Sequence, residues 1–408
     1  MKKKLKIGLF GFGVVGHGLY HVLNETHGVK AEIKKICVKN KDKQRSLDSA
    51  IFTYEKNDIL FDPDIDIVVE LIDDASAAFE IVKAALRSGK HVVTANKRML
   101  AENLQEVYDL QKKYDRSVLY EGSVCGSIPI LRNLEEYYDN DLITSIEGIF
   151  NGSTNYILTK VFEERKSYAE ALKAAQDLGF AESDPSLDVK GFDPKFKLTI
   201  AIAHTFGVFV KPENIINVGI DRISAVDLKY AKENNLTIKL VARAYKLEGQ
   251  IVGFVAPQFI PADHMLSSVR NEYNAVLVEG AFAEKQVFIG KGAGGYPTGS
   301  AVLSDISALT FDYRYEYKKF TQGEGFSFTN NAKVDVVISF REKSAISPAD
   351  FETFKGGYKG NGHQYMTGSI TLETLQSFSK RDDISVILAP QLNLVATDQK
   401  VASFALNV

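Results

Sequence analysis

The feature that most constrains this chain is G-F-G-V-V-G at residues 11–16, set directly behind the apolar run Lys4–Phe10. A buried strand that runs into a glycine turn, and then into a helical pattern through about Glu25, predicts a βαβ unit built to hold a dinucleotide. Gly11 permits the tight turn, Gly13 lets backbone approach a pyrophosphate, and Gly16 lets helix and strand pack closely. The helix start at Val14 and Val15 then faces the phosphates. The strand before and the helix after give the motif its weight, because such glycine strings also occur by chance.

The alternation continues. Glu32–Val38, Asp66–Ile72 and His91–Ala95 read as strands, with a helix over Ala75–Ser88, so a parallel sheet is expected. Cofactor choice is written after the second strand, where an acid binds the ribose 2′-hydroxyl of NAD and a base accommodates a 2′-phosphate. The run V-K-N-K-D-K-Q-R, Val38–Arg45, puts Lys39 there, which favours NADP; Asp42 leaves room for NAD.

Composition excludes more than it identifies. A net charge of −3 offers no basic surface for nucleic acid or membrane. Met-Lys-Lys-Lys opens like a signal peptide, but the apolar run behind it is too short and glycine-rich. No stretch approaches the roughly 18 apolar residues of a membrane span. Cys37 and Cys125 form no disulfide framework or metal spacing, and His17 and His21 lack a third ligand, so a reducing cytoplasm is expected.

The pattern changes after about Ser145. Helices dominate from Asn155 to Gly207, and extended runs at Lys239–Leu247, Ile251–Pro257, Ala275–Ala283 and Val287–Ile289 predict an antiparallel sheet. A glycine-rich loop, Gly290–Gly295, precedes a helix over Ser300–Leu309, and Gln322–Asn331 reads as a linker. The tail follows the order β-α-β-β-α-β, with P-A-D-F-E-T-F as its first helix, which is ferredoxin-like.

Between Gly179 and Lys197 the carboxylates Glu182, Asp184, Asp188 and Asp193 stand among Lys190, Lys195 and Lys197. A solvated loop has this composition, and so does a site that grips a zwitterion and moves a proton. Asp193 before Pro194 is a helix-start signature, and Lys197 lies four residues on, placed for an ion pair along the helix.

Several motifs in order resemble the homoserine dehydrogenase family. They are G-F-G-V-V-G, H-V-V-T-A-N-K (His91–Lys97), E-G-S-V-C-G-S-I-P-I (Glu121–Ile130), G-I-F-N-G-S-T-N-Y-I-L (Gly148–Leu158), the charged segment itself, and G-K-G-A-G-G-Y-P-T-G-S-A-V-L-S-D (Gly290–Asp305). The resemblance covers roughly residues 5–310. It implies hydride transfer between a nicotinamide and L-homoserine or L-aspartate 4-semialdehyde, in a homodimer or homotetramer. By resemblance Lys97 lies beside the nicotinamide and substrate, and Thr94 and Gly292 join the cofactor site. Lys197 is the proton donor and acceptor, Asp193 orients the reacting group, Glu182 holds the substrate ammonium and Asp188 lines the site. Glu121, with the carbonyls of Val124, Gly126 and Ile128, matches a site for a monovalent cation such as sodium.

Two departures stand out. Asp73-Asp74 replaces the family's Gly-Gly after the third strand, where acids would repel a pyrophosphate. The tail has the order of elements of an ACT domain, but R-E-K-S-A-I-S-P-A-D (341–350) lacks that domain's ligand-turn glycine. The expected architecture is α/β: a Rossmann-type doubly wound nucleotide-binding domain (1–145, to which a helix at 300–320 returns), an α+β catalytic and dimerisation domain (146–299) and an ACT-like domain (332–408). Two other classes compete with the dehydrogenase reading. One is a cofactor-binding regulator that has lost catalysis. The other is a different semialdehyde reductase, which predicts a catalytic cysteine.

Overall fold

The structure, a computed structural model, describes residues 4–140, 142–323, 325–341, 346–360, 363–391 and 394–397. The chain forms two compact units. The first comprises Met1–Asp141, Thr199–Pro212 and Phe288–Gly323; the second comprises Leu142–Leu198, Glu213–Val287 and Glu324–Val408.

In the first unit, β1 (Leu5–Phe10), β2 (Ala31–Cys37), β3 (Phe52–Thr53), β4 (Ile67–Glu70), β5 (His91–Thr94) and β6 (Val118–Leu119) form one parallel sheet, in the order β3-β2-β1-β4-β5-β6. Every residue of β4 is buried, as expected of a strand covered on both faces. The strand order reverses between β1 and β4, and ligands of open α/β sheets bind at such a switch point, beyond the strands' carboxyl ends. The helix Gly295–Leu309 starts five residues ahead of the expected Ser300, with Pro297 in its first turn, where no amide hydrogen is needed. It crosses the helix Val14–Glu25 closely: a Cβ on Gly18 would stand 2.0 Å from the Gly295 carbonyl oxygen.

The second unit is built on a mixed sheet. Its strands are β7 (Ile143–Ile149), β8 (Ile216–Asn217), β9 (Leu236–Leu247), β10 (Gln250–Pro261), β11 (Tyr273–Gly280), β12 (Glu284–Lys291), β13 (Ser327–Phe328), β14 (Ala332–Phe340), β15 (Thr353–Gly360), β16 (His363–Thr371), β17 (Ile384–Leu388) and β18 (Val395–Ala396). The main path runs β12-β11-β7-β9-β10-β17-β14-β16-β15. The expected linker is partly strand, since β13 pairs in parallel with β10. Val252, Phe254 and Ala256 of β10 share one core with Val334, Val336 and Ile338 of β14 and with Leu372, Leu375 and Phe378 of a short helix.

One expectation fails here. P-A-D-F-E-T-F is not a helix: Pro348–Asp350 make a single 3₁₀ turn and the chain enters β15 at Thr353. Ser347 and Asp350 supply the helix-start signal. Beyond it, T-F-K-G-G-Y-K-G pairs with β16 along its length, and that pairing overrides the local propensity. Residues 342–345 of the candidate ligand turn lie outside the described residues.

Candidate active site

In the first unit the glycine loop has the shape of a pyrophosphate cradle. Gly11 has φ +90°, and a Cβ there would come 2.6 Å from the Leu71 carbonyl oxygen. A Cβ on Gly16 would come 2.6 Å from the Gly11 oxygen, while one on Gly13 would meet nothing within 4 Å. The backbone at Gly13 (φ −88°) does not demand glycine either, so open space for an approaching group is what a side chain there would fill. No side chain caps the helix Val14–Glu25, no acid lies in its first turn, and Val14 is 73% exposed. The amides of Val14, Val15 and Gly16 are therefore presented to an anion, and the loop fits the dinucleotide.

Lys39 is exposed just past β2. Arg45 folds back towards it, donating to the carbonyls of Asn40 (2.6 Å) and Lys43 (2.8 Å) with its guanidinium 5.2 Å over the Phe52 ring. Two cations thus stand just past β2.

Beyond β4 and β5 the two acids that break the family pattern have a visible role in part. Asp74 caps the helix Ala75–Arg87, accepting from the Ala77 amide at 2.8 Å. Lys97 is the half-buried first residue of the helix Lys97–Tyr114, whose cap is Asn96. The Thr94 hydroxyl is fully buried and donates to Glu70 Oε2 at 2.7 Å, so it supports the site from beneath. Burial raises the Glu70 carboxyl to about 7, against the hydrogen bonds from Thr94 and Ile72 that favour its charge.

In the second unit the charged segment separates into roles. Lys197 Nζ donates to the Phe150 carbonyl (2.7 Å) and to Asp193 Oδ2 (2.8 Å), and both charged residues are buried. Asn151 Nδ2 donates to Asp193 Oδ2 (2.8 Å) and to Asp188 Oδ1 (2.7 Å). Asn151 in turn caps the helix Gly152–Glu163, accepting from the Thr154 amide at 2.8 Å. The helix Phe192–Phe206 begins one residue ahead of Asp193, so Asp193 lies in its first turn and points its carboxylate at Lys197. Glu182 is exposed and stands outside this group; its carbonyl receives the Gln176 amide at 3.0 Å. Asp184 makes a local turn by accepting from the Ser186 amide. Lys195 is buried, 5.1 Å over the Phe192 ring. Two carboxylates and one ammonium leave the cluster with a net negative charge, which suits a substrate ammonium.

The homoserine dehydrogenase family model matches residues 129–307, and that of the homoserine dehydrogenase NAD binding domain matches residues 11–121. Homoserine dehydrogenase of Bacillus subtilis is 40% identical over 321 residues, 76% of this chain and 74% of that one. The chain belongs to the homoserine dehydrogenase family. The solved homoserine dehydrogenase of Thiobacillus denitrificans superposes with a TM-score of 0.84 at 29% identity, covering 95% of this chain and 98% of that one. A hyperthermophilic archaeal homoserine dehydrogenase mutant, solved in complex with NADPH, gives 0.66 at 27% identity over 77% of this chain and 100% of that one. The protein is an NAD(P)-dependent oxidoreductase with homoserine dehydrogenase activity.

Within this homoserine dehydrogenase, the segment expected to hold a cation has its carboxylate tied to the chain that follows it. Glu121 Oε1 and Oε2 accept the amides of Leu131 (2.8 Å) and Arg132 (2.9 Å), and the Arg132 guanidinium lies 3.5 Å away. These bonds tie its carboxylate to the start of the helix Ile130–Glu136 and leave a lone pair on each oxygen. Gly126 (φ +54°) turns tightly against Gly292, whose backbone a Cβ would meet at 2.7 Å. Sequence reasoning missed Asn151, Arg45 and Glu70. Asn151 was detectable, because N-G-S-T is a helix-start signal inside a quoted motif. Glu70 was hidden, since an acid at a strand end reads as exposed.

Proposed function

We propose that the chain interconverts L-homoserine and L-aspartate 4-semialdehyde with Lys197 as proton donor and acceptor. The observation that carries this is Lys197 Nζ held in a buried position by Phe150 O and Asp193 Oδ2. When bound, the nicotinamide supplies the hydride acceptor. Hydride leaves an alcohol carbon only as the hydroxyl proton is taken, and Lys197 is the group to take it. In reverse, its ammonium stabilises the developing alkoxide and returns the proton. Asp193 and Asn151 fix where Nζ stands, Asp188 and Glu182 supply negative charge for the substrate ammonium, and Lys97 adds a second cation.

NADP is the reading for the cofactor, supported by Lys39 and Arg45 and consistent with the NADPH complex of the archaeal relative. Gly11, Gly13, Val14, Val15, Gly16, Thr94, Lys97 and Gly292 complete the cofactor set. A monovalent cation would be held by the Glu121 carboxylate with the carbonyls of Val124, Gly126 and Ile128. We read residues 332–408 as an ACT-like module reduced by its first helix, on the sheet order β17-β14-β16-β15 with antiparallel neighbours. A homodimer or homotetramer in the cytoplasm completes the reading. The regulator alternative loses part of its motive, because Asp74 serves as a helix cap.

The test is absorbance at the reduced-nicotinamide band with homoserine and NAD or NADP. Lys197→Ala is expected to lower kcat by roughly 10²–10⁴-fold. Unchanged turnover in that variant removes Lys197 from the proton-transfer role.

A further inference from the structure

Behind the glycine loop lies a closed ring of hydrogen bonds that the reaction scheme does not use. Glu70, the last residue of β4, is fully buried. Its Oε1 accepts the Ile72 amide at 2.7 Å, and its Oε2 accepts the Thr94 hydroxyl at 2.7 Å. Thr94 Oγ1 accepts the Asn96 amide at 3.0 Å, and Asn96 Nδ2 donates to the Ile72 carbonyl at 3.0 Å. The ring therefore joins the carboxyl ends of β4 and β5. Asn96 Oδ1 also accepts the Met99 amide at 3.0 Å, which fixes the helix whose first residue is Lys97. On its other side the ring abuts the glycine turn: Leu71 donates its amide to the Phe10 carbonyl at 2.8 Å, and a Cβ on Gly11 would stand 3.2 Å from Ile72 Cγ2.

We propose that Glu70 is a positioning residue for the dinucleotide, acting through Thr94 and Asn96 to hold the β4 and β5 crests and the Lys97 helix start in binding geometry. The proposal rests on the reading that the cofactor crosses these crests at the switch point of the sheet. A carboxylate suits the position because two donors converge on it from different strands. An apolar side chain would leave the buried Ile72 amide and Thr94 hydroxyl unsatisfied. Loosening the ring frees the Ile72 carbonyl and the Asn96 cap together, so the consequence is misplacement of Lys97 and of the loop wall facing Gly11. Displacements of about 1 Å at such a surface cost on the order of 10²-fold in function.

The experiment is an NADPH fluorescence titration of the full chain without substrate, followed by KM for homoserine at saturating cofactor. Glu70→Ala and Thr94→Val are each expected to weaken NADPH binding about tenfold or more. Their double variant is expected to be no weaker than the worse single, because both cut one ring. Glu70→Gln, which keeps an acceptor and the side-chain shape, is expected to bind within about threefold of wild type, and KM for homoserine is expected to rise only in the variants that displace Lys97. If Glu70→Ala does not fold, Thr94→Val and Glu70→Gln decide. Wild-type NADPH affinity in folded Glu70→Ala or Thr94→Val overturns the proposal, and so does full additivity in the double. Gly13→Val tests the cofactor reading separately. If that variant binds NADPH normally, the reading fails and the proposal falls with it. If it abolishes binding while the ring variants bind normally, the proposal alone is overturned.

Discussion

Glu70 and Glu147 are carboxylates on central strands, one in each unit, the first fully buried and the second half-buried, and their charges are settled in opposite ways. Glu70 receives an amide and a hydroxyl but has no cation beside it among the described residues, and burial lifts its pKa to about 7. Glu147, on β7, faces its register partner Arg243 on β9, whose Nη2 donates to Oε2 at 2.6 Å, with His264 Nε2 3.3 Å from Oε1. Burial pushes Glu147 up as well, but Arg243 and His264 outweigh it and hold the carboxyl at about 2. Depth in the fold does not decide the charge of an acid here; the partner does.

Removing the partner is the most forceful way to break that contrast. Arg243→Met leaves Glu147 with His264 and the weaker influence of Lys285, and is expected to cost about 3–5 kcal/mol, read by calorimetric melting. It should also reverse a pH dependence. In the wild type, Glu147 contributes stability that is present above its ordinary 4.5 and lost as pH falls through about 2. Without Arg243 the melting temperature should instead fall as pH rises from 4 to 7. An unchanged acid limb in Arg243→Met would show that the guanidinium does not hold the charge.

Glu70 gives the mirror-image prediction. Its folded pKa lies above the ordinary 4.5, so its stabilising contribution is complete below that value and is lost as pH rises through about 7. At about 1.4 kcal/mol for each pH unit, the effect is bounded at roughly 3 kcal/mol. Glu70→Gln should therefore gain stability relative to wild type between pH 5 and pH 8, and the gain should level off above that. Parallel melting curves for the two proteins across this range would contradict the raised pKa.

The same contrast explains what was readable in the sequence. The parallel sheet was legible because β1, β2, β4 and β5 are short apolar runs with helices between them. The Asp193–Lys197 pair was legible because spacing along one helix fixes its geometry in advance. The role of Asn151 is not legible within its motif, since it meets Asp188 and Asp193 only after a return of about forty residues. The Glu147–Arg243 pairing depends on the register of two strands nearly a hundred residues apart, which no local signal encodes. The false helix at P-A-D-F-E-T-F shows the converse: a correct start signal was followed by a segment whose partner strand claimed it.

Asn151 is the subtlest case and sharpens the comparison most. Asp193 has a cation in Lys197, as Glu147 has in Arg243, but it also accepts from a neutral group, as Glu70 does, in an amide donor shared with Asp188. Asn151→Ala removes that amide and the helix cap together. The cap contributes about 1 kcal/mol, so the melting temperature should fall slightly. The larger change should be in kcat, by about tenfold, because Asp188 and Asp193 lose the group that spaces them and Lys197 loses its fixed position. Asn151→Asp separates the two contributions. It keeps an acceptor for the Thr154 amide, so the cap survives, but it sets a third carboxylate against two others. If the neutral amide is what lets the two acids coexist beside one lysine, Asn151→Asp should turn over no faster than Asn151→Ala although its cap survives. Wild-type kcat in Asn151→Asp would mean that Lys197 alone organises the cluster.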